Sequence, residues 1–289
     1  MPRVTTLREA ARRAMSDHAS ITSAPGLQGT RLTDKVALVT GGAGGIGQAI
    51  ARLFCAQGAR VMLVDRDAGA LAAAQQAIAQ NSVDNDGAAR LQHCCLDIAL
   101  PGSADAAVAA TLQAFGRLDV LINNAALRNL DPVAEADDAR WQALLQVNLM
   151  GAVHCSRAAL PALRRQGRSS IVNVSSTYAV VGRKGFAAYD ASKAALLSLT
   201  RSLAWEEAAH GVRVNAVCPG GTLTPYTIGR AAQRGLSETA LRADSKADTL
   251  LKRWAEPMEV AWPVLWLASE EASFVTGTSL MVDGGTAVM

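Results

Sequence analysis

A glycine-rich turn near the start of the chain constrains the fold most. It reads TGGAGGIG over residues 40–47, between the apolar run 35–39 and residues 50–54. The apolar run predicts a buried strand and the second segment predicts a helix. Glycines at such a junction let a pyrophosphate approach the backbone and lie at the positive helix N-terminus. A glycine cluster alone could be only a tight turn, but the order of elements predicts a nucleotide-phosphate site. Its candidate residues are Gly41, Gly45, Ile46 and Gly47.

A second segment, YDASK at residues 189–193, places a tyrosine and a lysine four positions apart. On a helix the two side chains share a face, so the ammonium can lie near the phenol. A free phenol with a pKa of about 10 is a poor base near neutrality, and a nearby cation improves it. Such pairs are also common on solvated helices. Its occurrence downstream of the glycine turn favours a proton-transfer site.

Strand-like and helix-like runs alternate along the rest of the chain. This alternation predicts an α/β fold with a doubly wound parallel sheet of about seven strands in a three-layer αβα sandwich. Helices are expected at 68–80, 104–115, 141–163, 187–209 and 259–268, and the last strand at 279–282.

The domain organisation follows from the same pattern. Residues 1–31 are predicted to be an N-terminal extension, either flexible or packed on a neighbouring subunit, and residues 32–289 a single domain. The alternation breaks at 221–253, which is polar and helical in propensity. We expect this segment, with little apolar surface of its own, to be a mobile cover over the site.

Composition narrows the function classes. Half of the residues are hydrophobic and 18% are charged, which excludes wholesale disorder. With 28 basic and 25 acidic residues, no field for nucleic acid is implied. No apolar run reaches the roughly twenty residues that span a bilayer, so a soluble, cytoplasmic protein is expected. The five cysteines are predicted to be core residues in a reducing compartment, and no metal site is expected. They are Cys55, Cys94, Cys95, Cys155 and Cys218.

Further motifs follow in a fixed order. They are NNAA at 123–126, VN at 147–148, IVNVSS at 171–176, NAVCPG at 215–220, VTG at 275–277 and VDGG at 282–285. With the two segments above, this order resembles the short-chain dehydrogenase/reductase family in its compact, single-domain form. The resemblance covers residues 32–285, with Ala126 in place of the usual glycine. It implies a Rossmann-type fold and oxidoreductase activity with a nicotinamide cofactor.

The resemblance also assigns roles to the tyrosine–lysine pair. Tyr189 would exchange a proton with the substrate oxygen. Lys193 would lower the pKa of that tyrosine and bind the nicotinamide ribose, so both residues are also cofactor-binding candidates. Tyr178 is a competing tyrosine, but it has no lysine at the helical spacing.

Two further catalytic candidates come from the same resemblance. Ser176 lies 13 residues before Tyr189 and would orient the reacting oxygen, with Ser175 as the competing choice. Asn148 resembles the residue that holds a water in a proton relay. Without the resemblance it could equally be a solvated helix residue.

The predicted cofactor is NAD. Asp65 ends the second strand about twenty residues after the glycine turn, where a carboxylate accepts hydrogen bonds from ribose hydroxyls and repels a 2′-phosphate. Arg66, the next residue, would tolerate such a phosphate, so NADP stays an alternative. Asn123 would lie near the adenosine ribose. The resemblance implies the remaining cofactor candidates, which are Asp97 and Ile98 for the adenine, Asn124, and Pro219, Gly220, Thr222 and Thr224 for the nicotinamide carboxamide.

The substrate is less constrained. Cationic residues in segments that border the crevice could converge on an anionic group, or be solvated surface residues. They are Arg128, Arg183, Lys184, Arg230, Arg234 and Arg242. The predicted reaction interconverts a secondary alcohol and a ketone on a small polar substrate, such as a sugar, sugar acid or polyol. The alternatives are an NADPH-dependent ketoacyl- or hydroxysteroid-type reductase and a non-catalytic nucleotide-sensing protein. The resemblance further implies a homotetramer with contacts through helices 141–163 and 187–209 and the last strand.

Overall fold

The chain folds around one seven-stranded, entirely parallel sheet. The computed structural model describes residues 29–80, 90–129, 131–244, 246 and 248–288. The strand order is β3-β2-β1-β4-β5-β6-β7. The strands are β1 Val36–Thr40, β2 Arg60–Asp65, β3 Leu91–Cys95, β4 Val120–Asn123, β5 Ser169–Val174, β6 Val212–Pro219 and β7 Ser279–Val282.

Helices cover both faces of this sheet. They are α1 Gly45–Ala56, α2 Ala68–Gln80, α3 Ser103–Phe115, α4 Asp138–Leu145, α5 Gly151–Gln166, α6 Ala187–Glu207, α7 Pro225–Ala232, α8 Glu238–Ala243 and α9 Pro257–Ala268. One core contains residues of α1, α2 and α9, and the other contains residues of α3, α5 and α6. The predicted three-layer αβα fold is therefore confirmed.

Strand β1 illustrates why the central strands are continuously apolar. Ala37 and Val39 point into the first core, whereas Val36 and Leu38 point into the second. Because helices lie on both faces, neither side of the strand meets water, and alternation with polar residues is lost. The chain reverses direction across the sheet between β1 and β4, so the loops that follow these strands open a crevice at their carboxyl ends.

The largest difference between the predicted and the observed helices lies between β4 and β5. A single helix was expected over 141–163, but α4 and α5 are joined by one π-helical turn, Gln146–Met150. Such turns insert an extra residue per turn and are frequent at functional sites. The turn contains Asn148, whose side chain hydrogen-bonds outside its own helix.

The predicted extension lies mostly outside the described residues, which begin at 29. Residues 29–31 already belong to the body of the domain. The Gly29 amide donates to the Ala56 carbonyl at 3.0 Å, and the Leu32 side chain is fully buried.

The prediction that all five cysteines are core residues was wrong. Cys155 and Cys218 are buried, but Cys55 and Cys94 are half-buried and Cys95 is exposed. Among the described strands β3 pairs only with β2, so it forms an edge whose residues are less covered. In the described ranges no helix is long and apolar enough to cross a membrane, and no cluster of three or more His, Cys, Asp or Glu side chains could hold a metal ion.

Candidate active site

The glycine turn is closed by contacts that leave no room for a side chain at positions 41, 45 and 47. Gly41 has a φ of +64°, and a Cβ there would lie 2.7 Å from the Ala125 Cα. A Cβ on Gly47 would collide with the Gly41 carbonyl oxygen. A Cβ on Gly45 would lie 2.9 Å from the Pro225 Cδ, at the start of α7. The turn therefore packs closely on both the sheet and the cover, and its backbone stays accessible at the N-terminus of α1.

Asn124 ties this turn to β4. Its Nδ2 donates to the carbonyl oxygens of Thr40 and Gly41, both at 3.0 Å. Its neighbour Asn123 behaves differently, because consecutive residues at a strand end point to opposite sides. The Asn123 side chain is buried and donates to Asn173 Oδ1 at 2.9 Å. Thus Asn124 lines the crevice, whereas the Asn123 side chain is turned into the core.

Asp65 closes β2 beside the glycine turn. Its Oδ2 accepts from the Ala43 amide at 3.2 Å and its Oδ1 accepts from the Arg66 amide at 2.8 Å. The carboxylate is half-buried and lines the crevice, and the Arg66 side chain is exposed next to it. Both residues therefore line the crevice at the carboxyl end of β2, beside the glycine turn.

The crevice itself has a volume of about 700 Å³, within the range of small-molecule sites. Fourteen of the predicted site residues line it, and Gly47 and Asn148 do not. The lining residues are Gly41, Gly45, Ile46, Asp65, Asp97, Ile98, Asn124, Ser176, Tyr189, Lys193, Pro219, Gly220, Thr222 and Thr224.

Several of these residues also have a local structural role. The Asp97 Oδ1 accepts from the Ala99 amide at 2.9 Å, and Thr224 Oγ1 accepts from the Thr227 amide at 3.2 Å to cap α7. Thr222 Oγ1 donates to the Gly220 carbonyl at 3.2 Å. These bonds fix the loops after β3 and β6 at the two ends of the crevice.

Tyr189 and Lys193 lie in the first two turns of α6, with their side chains buried at the crevice floor. The Lys193 Nζ donates to the Val174 carbonyl at the end of β5, at 2.8 Å, and lies 5.8 Å from the centre of the Tyr189 ring. Because an ammonium has three donors, two remain for other groups. The predicted pair thus meets at the carboxyl end of the sheet.

Electrostatics around Tyr189 favour the phenolate. Burial is the largest influence and alone would raise its pKa, but Lys193, Arg128 and Arg183 together hold the pKa below its usual value. Burial also lowers the pKa of Lys193, and Arg128 acts in the same direction while Tyr189 opposes both. The pKa values of the buried phenol and the buried amine are therefore both held below their usual values, in the direction that suits proton transfer near neutral pH.

The two serines at the end of β5 have different partners. Ser175 Oγ donates to the Lys193 carbonyl at 2.8 Å, so its proton is engaged in holding α6. Ser176 Oγ accepts from the Tyr178 amide at 3.2 Å and lines the crevice. Of the two, Ser176 is placed to donate its hydroxyl proton to an oxygen in the crevice.

Asn148 is buried in the π turn and acts on the segment after β4. Its Oδ1 accepts from the Leu127 amide at 2.7 Å, and its Nδ2 donates to the Leu127 carbonyl and to Ser192 Oγ, both at 3.0 Å. Its side chain thereby fixes the backbone that carries Arg128.

Tyr178 belongs to a cluster that the sequence did not predict. Its hydroxyl donates to Asp248 Oδ2 at 3.3 Å, and Lys246 pairs with the other oxygen of that carboxylate. Burial, with Asp248, raises the pKa of Tyr178 above its usual value. Tyr178 is therefore a poorer base than Tyr189. No spacing signal links residues 178, 246 and 248, because only the folded chain brings them together.

Of the six cationic candidates, Lys184 is exposed and does not line the crevice, and the other five separate into two groups. Arg183 forms an ion pair with Asp190 at 3.0 Å, and Arg242 pairs with Glu238 and Glu256, so these two charges are already compensated. Arg128, Arg230 and Arg234 line the crevice, and none of them has an ion-pair partner within the described parts of the chain.

The cover over the site, residues 221–253, contains α7 and α8. The expectation that it has little apolar surface was wrong, because Leu223, Ala231 and Leu241 form a small buried cluster of their own with Ile228 and Trp254 packed against it. Helical spacing places Ile228, Ala231 and Leu241 on the inner faces of the two short helices, and Leu223 and Trp254 come from the flanking segments; the overall polarity of the segment hides this pattern.

Comparison with known proteins agrees with this geometry. A family profile described as "Enoyl-(Acyl carrier protein) reductase" matches residues 41–287. The chain is 38% identical to "Short chain dehydrogenase/reductase astE" of Aspergillus oryzae, over 89% of this chain and 97% of that protein. It is 40% identical to a galactitol 2-dehydrogenase (L-tagatose-forming) of Cereibacter sphaeroides, over 89% and 97%.

A solved structure gives the same result. That structure, L-sorbose reductase from Gluconobacter frateurii complexed with NADPH and L-sorbose, superimposes with a TM-score of 0.83 at 31% identity, over 90% of this chain and 99% of that one. The glycine turn, the tyrosine–lysine pair and these similarities together lead to one conclusion. The chain belongs to the short-chain dehydrogenase/reductase family of oxidoreductases, which bind a nicotinamide cofactor.

Proposed function

We propose that this protein is an NAD(H)-dependent oxidoreductase that interconverts a secondary alcohol and a ketone on a small polar substrate, such as a sugar, sugar acid or polyol. The observation that carries the proposal is the meeting of Tyr189, Lys193 and Ser176 in the same crevice as the glycine turn. The galactitol and L-sorbose enzymes among its relatives, whose names denote a polyol and a sugar, support the substrate class.

In the proposed reaction the Tyr189 phenolate takes the hydroxyl proton of the alcohol, and in the reverse direction the phenol returns it to the ketone oxygen. Ser176 donates a hydrogen bond to the same oxygen and so orients it. Lys193 stabilises the phenolate and keeps free donors for a ribose. A bound nicotinamide dinucleotide would supply the hydride acceptor or donor.

Asn148 enters the mechanism as a positioning residue. Its side-chain amide is engaged by Leu127 and Ser192, so it holds the segment after β4 against α6. The water-holding role that the resemblance implies stays a prediction.

The residues present fit a dinucleotide, and we propose NAD rather than NADP. The glycine turn is a cradle that Cβ atoms would fill, and the Asp65 carboxylate stands at the ribose end of the crevice. Two observations favour the alternative: Arg66 lies beside Asp65, and the L-sorbose enzyme was solved with NADPH. The proposal gives more weight to Asp65, because its half-buried carboxylate would repel a 2′-phosphate.

The experiment is a panel of sugars, polyols, hydroxy acids and hydroxysteroids, assayed with NAD and with NADP by nicotinamide absorbance. We expect turnover of polar secondary alcohols, with NAD as the better acceptor. Turnover of hydroxysteroids alone, or only with NADP, would favour the reductase alternative. Dinucleotide binding without turnover of any compound would favour a nucleotide-sensing protein.

We further propose a homotetrameric, cytoplasmic protein. The apolar side chain of Trp205 on α6 is 87% exposed in the isolated chain, and Phe274 before β7 is fully exposed. Large apolar side chains left in water support burial against another copy.

A further inference from the structure

Among the cations that line the crevice near Tyr189, Arg128 is the one whose position best suits it to bind a substrate. Its Cζ lies 4.9 Å from the centre of the Tyr189 ring and 5.8 Å from the centre of the Tyr226 ring. One ring belongs to the crevice floor and the other to α7 of the cover. The guanidinium thus lies over both aromatic rings, beside the residue to which we assign proton transfer.

The backbone that carries Arg128 is fixed as well. The preceding residue, Leu127, gives both its amide and its carbonyl to the side chain of buried Asn148. An arginine loses much rotamer freedom when it binds a ligand, and fixing its backbone and stacking its side chain remove part of that cost in advance.

The charge of Arg128 is not neutralised by a neighbouring carboxylate. Asp131, three positions on, pairs with Arg140 at 3.0 Å, and Asp190 pairs with Arg183 at 3.0 Å. Asp190 is near enough for Arg128 to lower its pKa, although burial raises that pKa overall. Among the described residues no acidic group lies within ion-pair distance of Arg128.

Arg183, by contrast, is a structural cation. Its Cζ lies 3.8 Å from the centre of the Tyr178 ring and 3.7 Å from that of Phe186, and its charge is compensated by Asp190. Arg230 and Arg234 line the crevice from the cover, but no stacking contact is found for either within the described chain. Within the part of the chain that the structure describes, Arg128 is the one of these four arginines that both lacks an ion-pair partner and lies over aromatic rings.

We infer that Arg128 is the residue of the substrate site that binds an anion. The natural substrate would then carry an oxyanion group, such as a carboxylate, close to the reacting carbon. The inference rests on the proposed function, because it assumes that the substrate oxygen meets Tyr189. Planar guanidinium groups bind carboxylates through two parallel hydrogen bonds, and such charge-assisted bonds are among the stronger polar contacts in proteins.

The test compares compounds of equal shape that differ in charge. With NAD, kcat/KM is measured for 2- and 3-hydroxybutyrate and for the corresponding amides. In parallel, NMR titration of the enzyme–NADH complex gives Kd for propionate and propionamide, which needs no turnover. The variants are Arg128→Gln, Arg128→Lys, Arg230→Gln and Arg234→Gln.

The matched control is Arg165→Gln, which removes the same charge from the C-terminal end of α5. This end lies near the start of β5, away from the crevice at the carboxyl ends of the strands. Because Arg128 is exposed, its replacement is not expected to unfold the protein, and thermal denaturation of each variant checks this.

We expect the native enzyme to prefer the acids over the amides by about tenfold or more, in kcat/KM or in Kd. Arg128→Gln should bring that ratio close to one, Arg128→Lys should keep part of it, and Arg165→Gln should keep all of it. The inference is overturned if the native enzyme shows no preference for the acids, if Arg128→Gln retains the preference, or if Arg230→Gln or Arg234→Gln abolishes it instead.

The proposed function and the anion site can be rejected independently of each other. Turnover of neutral alcohols without any charge preference would leave the proposed function intact and reject the anion site. Absence of turnover with every alcohol would reject the proposed function, while the propionate titration would still decide whether Arg128 binds an anion.

Discussion

Tyr189 is a phenol surrounded by cations. Lys193 lies below its ring, and the guanidinium carbons of Arg128 and Arg183 lie 4.9 and 5.3 Å from the ring centre. Tyr189 is buried, so these cations act on it through a lower dielectric than that of bulk water, although salt screens the exposed Arg128 more than the buried Lys193. They offset the cost of burying a phenolate, which explains how a tyrosine can serve as a base here.

This environment predicts the pH dependence of alcohol oxidation. The reaction needs the phenolate, so kcat/KM should rise with pH and level off above the pKa of Tyr189, which the cations hold below its usual value. Arg128→Gln removes one cation and should move the midpoint of the profile to higher pH. Tyr178→Phe is the control and should leave the midpoint in place. A midpoint that Arg128→Gln leaves unmoved would show that this arginine does not act on the phenol.

At the other end of the crevice, Asp65 predicts the cofactor preference. The native enzyme should bind NADH more tightly than NADPH, and Asp65→Ser should narrow that difference by about tenfold or more, because a repelling carboxylate is removed and the adjacent Arg66 remains. The control is Asp67→Ser, since that carboxylate is exposed and caps α2 through the Ala70 amide. Fluorescence titration of both dinucleotides measures the effect. Tighter binding of NADPH by the native protein would overturn the assignment.

Among the elements, the glycine turn tolerates little change at Gly47. Gly47→Ala would drive a methyl group into the Gly41 carbonyl and should weaken NADH binding by about tenfold or more while lowering the melting temperature. Gly69→Ala, in an open position on α2, should leave NADH binding unchanged. Equal NADH affinity in the two variants would mean that the turn does not hold the cofactor.

The cover gives a prediction about motion. Helices α7 and α8 share only a small apolar cluster, so their amides should exchange hydrogen faster than those of the central strands. NADH together with a substrate should slow this exchange, because the cover closes over both. Mass-spectrometric exchange with and without ligands measures it, and protection that is already strand-like without ligand would contradict a mobile cover.

The elements whose bounds were predicted correctly are those with a pattern in their own segment of sequence. Helix α2 and strand β7 have the predicted bounds, because alanine-rich periodicity and a short apolar run are properties of the segments themselves. The π turn around Asn148 was missed, because its side chain hydrogen-bonds to the Leu127 backbone and to Ser192 rather than to neighbours in sequence. The compensation of Arg183 by Asp190 was missed for the same reason.

At the scale of the whole molecule, the proposed tetramer has a direct test. Light scattering should return about four times the chain mass of 30.1 kDa. Trp205→Glu should lower that mass, because it places a charge in the apolar α6 surface that we expect to be buried. A monomer mass for the native protein at micromolar concentration would refute the tetramer.

The sheet order explains why motifs far apart in sequence serve one site. The turn after β1, Asn124 after β4, the serines after β5 and the proline–glycine pair at the end of β6 meet because parallel strands present their carboxyl ends on the same side of the sheet. Their sequence order was enough to predict this meeting. The sequence did not show which of the candidate cations are already paired with carboxylates, because their partners come from separate elements.

We propose that Tyr189 transfers the proton in a nicotinamide-dependent alcohol oxidation. The most direct measurement is nicotinamide absorbance during alcohol oxidation by the native enzyme and by Tyr189→Phe, with NADH affinity determined for both. The account predicts that Tyr189→Phe loses turnover by about a thousandfold or more and keeps NADH affinity within about threefold, because only the reacting oxygen is removed. Retention of most of the native rate by Tyr189→Phe, with its loss in Tyr178→Phe, would contradict the account.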